Sequence, residues 1–244
     1  MDWGLVSYSG ALEKQKELQT ALVEQKLIKR RLEIDSSENS YPSSVDLQSN
    51  LTASSYLIFC EHPPVFTLGN RASPKNLLIT KDELEKRNIE VFPIKRGGDI
   101  TFHGPGQLVV YPILDLELFF TDIHKYLRYL EEAVIQTLAL FGIEGGRIEG
   151  LSGVWIQPDN PKKARKICAV GIHCSRWVTM HGLALNVNTD LDYFSDIIPC
   201  GIKDKEVTSM AKELSELVEF EKVKWVLKEK IAQQFGMYFL GAGE

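Results

Sequence analysis

The sequence has no Cys-x-x-Cys pair, no apolar run approaching the ~20 residues of a membrane span, no internal repeat and no surplus of basic charge. Each absence removes a class of function. Four cysteines in 244 residues, Cys60, Cys168, Cys174 and Cys200, are too irregularly placed for a disulfide framework, and a chain with 44% hydrophobic content buries a core without one. They are expected to be free thiols. The spacing of Cys168, His173 and Cys174 fits no common zinc finger or ribbon, so no metal site is expected. With 28 basic against 33 acidic residues and a net charge of −5, the chain lacks the field of a general nucleic-acid binder. The first residues, Met1-Asp2-Trp3-Gly4, lack the basic and apolar regions of a secretory signal, so a soluble, cytoplasmic protein without a membrane partner is expected.

What the chain does have is a dense run of glycine, charge and imidazole: Arg96-Gly97-Gly98-Asp99-Ile100-Thr101-Phe102-His103-Gly104-Pro105-Gly106-Gln107, directly ahead of an apolar, strand-like stretch. Residues without a Cβ let the backbone take positive φ and bring main-chain N–H groups close to a ligand. Glycines alone are equally consistent with a sharp turn between strands. Arg96, Thr101 and His103 tip the reading toward a ligand cradle, since a plain turn has no use for a cation, a hydroxyl and an imidazole together.

Helix formers over 10–27, with an apolar face through Ala11, Leu18 and Leu22, predict a helix, and the polar, Ser/Asn-rich 29–55 predicts a surface insertion. Segments 56–60 and 65–68 read as strands, with His62 in the proline-rich loop between them. Thr80-Lys81-Asp82-Glu83 has the pattern of a capping box opening a short helix to about Arg87, after which 91–95 and 107–116 return to strand. Ile123, Leu127, Leu130, Val134, Leu138 and Phe141 recur at steps of three and four over 122–141, with His124 off the stripe and Gly142 where a helix stop is expected. Four β-rich stretches, 153–157, 166–174, 176–180 and 182–187, suggest an antiparallel meander. A final helix uses Val223, Leu227, Ile231 and Phe235. Strands and helices do not alternate regularly, which predicts an α+β fold with helices against a mixed or antiparallel sheet, and one catalytic domain over 1–244.

Pro199-Cys200-Gly201 places a thiol between a residue of fixed φ and one without a Cβ, on backbone that turns sharply and leaves the side chain accessible. A cysteine with a pKa of about 8.5 is only slightly ionised at neutral pH, so a nucleophilic role needs a neighbouring cation or base. Lys166, opening the run Lys166-Ile167-Cys168-Ala169-Val170-Gly171, is the candidate. In an unbulged strand Lys166 and Cys168 share a face, so Cys168 competes with Cys200 as the thiol that Lys166 serves. Spacing leaves that choice open. Cys60, in the apolar run 56–60, reads as a small core residue.

The glycine-rich run, Lys166-Ile167-Cys168-Ala169-Val170-Gly171, His181-Gly182-Leu183-Ala184-Leu185-Asn186-Val187 and Pro199-Cys200-Gly201, in this order, resemble the lipoyl(octanoyl) transferases, octanoyl-acyl carrier protein:protein N-octanoyltransferases. The resemblance covers roughly 6–214 and implies the fold shared by biotin and lipoate protein ligases. It implies that Cys200 is the acyl-thioester nucleophile and Lys166 the group that lowers its pKa. It further implies an acyl pocket lined by Arg96, Gly97, Gly98, Asp99, Ile100, Thr101, Phe102 and His103, then by Ala169, Val170 and Gly171 and by Gly182, Leu183 and Ala184. His103 and His181 are candidates for orienting substrate or nucleophile. The polar 29–55 departs from the family pattern in its length, which bears on the local surface and on docking.

The resemblance also implies octanoyl-acyl carrier protein as donor, lipoyl domains of 2-oxoacid dehydrogenases and the glycine cleavage H protein as acceptors, a monomer, and no cofactor, since the incoming thioester is already activated. The partners it implies are acidic, and so is this chain, so docking calls for a local basic patch. Lys162, Lys163 and Arg165 are the candidates. An ATP-dependent ligase of the same fold needs no nucleophilic cysteine, and a non-catalytic acyl-binding module needs neither Lys166 nor Cys200.

Overall fold

The computed structural model describes residues 1–38, 55–198 and 206–239. In chain order these form β1 (Asp2–Leu5), α1 (Tyr8–Glu38), β2 (Tyr56–Glu61), β3 (Val65–Leu68), α2 (Lys81–Lys86), β4 (Glu90–Pro93), β5 (Ile100–His103) and β6 (Gln107–Ile113). There follow α3 (Ile123–Leu140), β7 (Gly145–Ile148), β8 (Leu151–Ile156), β9 (Arg165–Ser175), β10 (Val178–Asn186), β11 (Glu206–Val207), α4 (Met210–Leu214) and α5 (Phe220–Phe235). The large sheet runs β1-β2-β6-β10-β9-β8-β7, antiparallel except for β1 beside β2, with β11 joining the start of β9 in parallel. A second sheet has the order β4-β3-β5. The fold is α+β, a mixed sheet flanked by helices.

Alternation assigns the two faces of the large sheet. Leu57, Phe59, Leu108, Val110, Leu183 and Leu185 point to a core closed by Leu130, Val134 and Leu138 of α3 and Leu227, Ile231 and Phe235 of α5. Ile58, Cys60, Val109, Tyr111 and Ala184, one residue out of step, point to the opposite face, where Ala11 and Leu22 of α1 pack. β6 and β10 are buried at every position, so these central strands are covered on both faces. The small sheet has its own core of Phe66, Ile100 and Phe102 with Ile79, Ile89 and Ile197, and Tyr8, Val65 and Ile94 join it to the start of α1.

Several expected boundaries hold for the reasons given. Thr80 and Glu83 form the capping box of α2, Asp122 caps α3 by accepting from the Lys125 N–H at 2.9 Å, and His124 is exposed. Others move. The first helix continues to Glu38, so 29–38 is helical and continuous with it. No glycine or proline falls within 29–38, and Lys26 and Arg30 tether the helix by ion pairs, Lys26 to Asp115 at 2.7 Å and Arg30 to Glu117 at 2.6 Å. Ion pairs leave no apolar period to read. The remainder of the expected insertion, 39–54, lies outside the described residues. The stretches 176–180 and 182–187 are one strand, β10. The hairpin before it turns through Arg176 and Trp177, both at positive φ, without the usual glycine or asparagine. Strands β1 and β7 were not expected from the pattern; the first is short and mostly exposed, the second opens with two glycines. His62 follows β2 as expected but is buried, donating from Nδ1 to the Val6 carbonyl and accepting from the Tyr111 hydroxyl, both at 2.7 Å. Among the described residues no helix is long and apolar enough to cross a membrane.

Candidate active site

A cleft of about 850 Å³, counting its open mouth, lies between the α1 face of the large sheet and the glycine-rich segment. Strand register builds its floor. Val109, Ala184 and Ala169 stand side by side on β6, β10 and β9, and Gly182 stands beside Gly171 in the next row on the same face. Toward one end of the floor are Gln107, Asn186 and Lys166 and toward the other Tyr111 and His181, while Tyr8 of α1 stacks on His103 with centroids 5.9 Å apart. Small floor residues let the opposite wall approach. A Cβ on Gly171 would come within 2.8 Å of the Gly97 carbonyl oxygen.

That wall is the segment read as a ligand cradle. Arg96 is buried and donates to the Thr67 carbonyl at 2.7 Å, the Thr67 hydroxyl at 2.9 Å and the Gly97 carbonyl at 3.0 Å. Asp99 accepts from the Ile100 N–H at 2.7 Å and the Asn76 amide at 2.6 Å, so it secures the loop. Arg96, Gly98, Asp99, Ile100, Thr101 and His103 line the cleft, as do Ala169, Val170, Gly171, His181, Gly182, Leu183 and Ala184. Two members of the expected set do not. Gly97 is held back by its N–H bond to the Ile172 carbonyl at 2.9 Å. Phe102 alternates to the far side of β5 and stacks on Tyr193 with centroids 4.4 Å apart.

Lys166 reaches the cleft because β9 is bulged. Trp155 pairs with Lys166 and the next residue of β8, Val154, pairs with Cys168, so Ile167 is an extra residue that puts Lys166 and Cys168 on opposite faces. The condition under which those two would share a face is therefore not met. The Lys166 ammonium sits 4.6 Å from the Trp155 ring centroid, at the cleft edge. Cys168 faces the core, and burial first, then the carboxylate of Glu131, raises the pKa of its thiol well above the usual range. The bulge depends on Gly153, whose φ is +102° and whose Cβ, if present, would lie 2.4 Å from the Cys168 carbonyl oxygen.

The two imidazoles of the cleft, His103 and His181, are buried and held neutral. Burial, then the neighbouring His62, lowers the His103 pKa to about 3. His103 donates from Nδ1 to the Gln107 side-chain oxygen at 2.7 Å, which leaves Nε2 to accept from the Thr67 hydroxyl at 3.4 Å. Burial, then Arg96, lowers His181 to about 3. His181 sits at φ +63° within β10, and neither ring nitrogen has a hydrogen-bond partner among the described residues. Its position bears on the orienting role considered above. It pairs with Ile172, and at about 3.3 Å per residue, with the bulge adding no step, that point of β9 is roughly 17 Å from Lys166, so His181 belongs to the other end of the cleft.

Cys200 lies outside the described residues. The chain on either side of its segment is placed: the Ile198 N–H donates to the Asn76 carbonyl at 2.8 Å, and Glu206 and Val207 pair with Arg165 and Lys166. Phe194 and Val207 both line the cleft. Of the expected basic patch, Lys162 and Lys163 are exposed, whereas the guanidinium of Arg165 is paired with the Glu213 carboxylate. Among the described residues no group of three His, Cys, Asp or Glu is placed to hold a metal ion. Sequence reasoning assigned no role to Tyr8, Tyr111 or Asn186. Asn186 carried a signal, a polar residue closing an apolar strand; Tyr8 and Tyr111 carried none.

Residues 44–232 match the family model described as the lipoyl protein ligase A/B catalytic domain. The chain belongs to this family. Among curated relatives of this lipoyl protein ligase A/B member, the octanoyltransferase of Cytophaga hutchinsonii is 51% identical over 97% of this chain and 92% of its own length. That of Flavobacterium psychrophilum is 58% identical over 75% of this chain and 78% of its own. Among solved structures, the bi-partite lipoate protein ligase of Thermoplasma acidophilum superposes with a TM-score of 0.60 at 20% identity. It covers 77% of this chain and 73% of its own, a likeness of fold. The lipoyl protein ligase A/B fold thus supplies the sheet and the glycine-rich wall that make the cleft.

Proposed function

We propose that Cys200 carries the octanoyl group as an enzyme thioester and that Lys166 holds its thiolate. The chain is an acyltransferase that moves octanoyl groups in protein lipoylation, the activity of relatives 51% and 52% identical to it. The observation that carries the finer reading is the β9 bulge, which turns Lys166 into the cleft at the point where Glu206 and Val207 return from the Cys200 segment.

In the first step the Cys200 thiolate attacks the carbonyl carbon of octanoyl-acyl carrier protein. The new C–S bond replaces the carrier's, and the carrier leaves as a thiol after taking a proton from the Lys166 ammonium. In the second, the amine of a lipoyl-domain lysine attacks the enzyme thioester, an amide forms as the C–S bond breaks, and the amine's proton passes to the now neutral Lys166, which restores the ammonium beside the Cys200 thiolate. The tail lies along the Ala169, Ala184 and Gly182 floor, where each buried methylene contributes about 0.8 kcal/mol. The donor thioester supplies the activation, so neither ATP nor a cofactor is required. Lipoyl domains of 2-oxoacid dehydrogenases and the glycine cleavage H protein are the acceptors. The protein acts as a monomer in the cytoplasm, and Lys162 and Lys163 meet its acidic partners at the rim.

Turnover of the Cys200→Ser variant tests this reading. Loss of octanoyl transfer, with no rescue by free octanoate plus ATP, supports it; transfer at the wild-type rate contradicts it.

A further inference from the structure

A line of buried polar groups crosses the molecule from the glycine-rich wall to β11. The Arg96 guanidinium donates to the Thr67 hydroxyl, which donates to His103 Nε2, and His103 Nδ1 donates to the Gln107 side-chain oxygen. The Gln107 amide donates to Asn186 Oδ1 at 2.9 Å, and Asn186 Nδ2 donates to the Thr208 carbonyl at 3.0 Å. Thr67, Gln107, Asn186 and Thr208 are each at most 3% exposed. A buried amide costs stability unless its hydrogen bonds are made, and Asn186, on the cleft face of β10, makes one as acceptor and one as donor.

What Asn186 holds is β11. This strand is two residues long, below the usual minimum for a strand. The Thr208 N–H donates to the Lys166 carbonyl at 2.9 Å, and the Thr208 hydroxyl donates to Glu213 at 2.5 Å. Those bonds fasten the segment to β9 and α4; the Asn186 bond fastens it to the cleft floor. We propose that Asn186 is a positioning residue for acyl transfer, fixing the point at which the chain returns from the Cys200 segment to Lys166. The proposal rests on the Cys200 and Lys166 reading above. Without the Asn186 amide, Glu206 and Val207 lose their registration on Arg165 and Lys166, and the Cys200 thiolate loses its fixed cation.

The test compares the pH dependence of Cys200 alkylation by iodoacetamide, and the separate kcat and KM for octanoyl-acyl carrier protein, in wild type, Asn186→Ala and Asn186→Asp. Leu138→Ala, in the core on the opposite face, is the control for lost stability. The expected result is an alkylation profile displaced to higher pH and a kcat lowered at least about tenfold with KM changed less than about threefold. Asn186→Asp, the same size but without the donor, behaves as the alanine variant. Leu138→Ala keeps the wild-type profile at a comparable loss of thermal stability. Should the alanine variant fail to fold, Asn186→Ser, one bond shorter, carries the same comparison. Asn186 variants whose profile and kcat match Leu138→Ala overturn the proposal, while a wild-type enzyme that octanoyl-acyl carrier protein never acylates at Cys200 overturns instead the reading on which it rests.

Discussion

At the scale of single residues, Lys166 is set apart by location. It is a half-buried amine at the edge of a cleft that Arg71, Arg96 and Asp99 also line, and it alone of these pairs with Val207, where the chain returns from the Cys200 segment. Replacing it with Met keeps much of its length and removes the ammonium. The expected outcome is octanoyl transfer slowed about 10²–10⁴-fold, the usual span for removal of a group that moves a proton in the transition state, with thermal stability close to wild type. Steady-state kinetics beside a melting curve checks both, and an unchanged kcat removes Lys166 from the chemistry. The residue types that carry this site were legible in the sequence because polar groups and glycines interrupt apolar runs only where something other than packing requires them. Gln107, ahead of Leu108-Val109-Val110, and Asn186, after Leu183-Ala184-Leu185, carry the same signal, though neither was assigned a role from the sequence. Tyr8 and Tyr111 were not legible, since an aromatic residue in an apolar context reads as core until a cleft is seen beside it.

Among the elements, β9 decides the site. Its pattern announces a strand, and simple alternation puts Lys166 and Cys168 on one face. The bulge at Ile167 reverses that, and its cause lies on the neighbouring strand, in the positive φ of Gly153. Local pattern cannot show a bulge imposed from across a ladder, which is why the choice between Cys168 and Cys200 stayed open in the sequence. Gly153→Ala places a Cβ against the Cys168 carbonyl in a backbone conformation that L side chains rarely adopt. It should destabilise the protein by about 1–3 kcal/mol and lower kcat as Lys166 shifts. Urea unfolding and kinetics on the same preparation test this, and a variant of wild-type stability and rate would mean that the bulge has another origin. The capping box of α2 and the apolar stripes of α3 and α5, by contrast, are local and read correctly, whereas the second half of α1 is held by charges that leave no period to detect.

For the whole molecule, three neutral imidazoles packed between the sheets set the response to acid. Burial holds His62 at about 4 and His103 and His181 at about 3, each below its unfolded value of 6.5. The unfolded chain therefore binds more protons than the native one as pH falls below 6.5, and stability declines with it. The stabilisation is complete above pH 6.5 and is lost progressively toward pH 3 to 4, at about 1 kcal/mol per histidine for the first pH unit. Urea midpoints at pH 7.5, 6.5 and 5.5 should fall across the last interval more than across the first; a flat or rising profile would show that these imidazoles are solvated or paired in the native state. The two-faced sheet and its helices followed from periodicity in the sequence. The meeting of the glycine-rich wall with that sheet did not, because it joins segments far apart in the chain through close backbone approach at Gly171.

The central claim is that one thiol carries the acyl group between two protein partners. Mixing the enzyme with octanoyl-acyl carrier protein in the absence of acceptor, then measuring intact mass and mapping the modified peptide, reads it directly. The account predicts one octanoyl group per chain, on Cys200, discharged when a lipoyl domain is added; an adduct on Cys168, or transfer to the lipoyl domain with no acylated enzyme at any time, would contradict it.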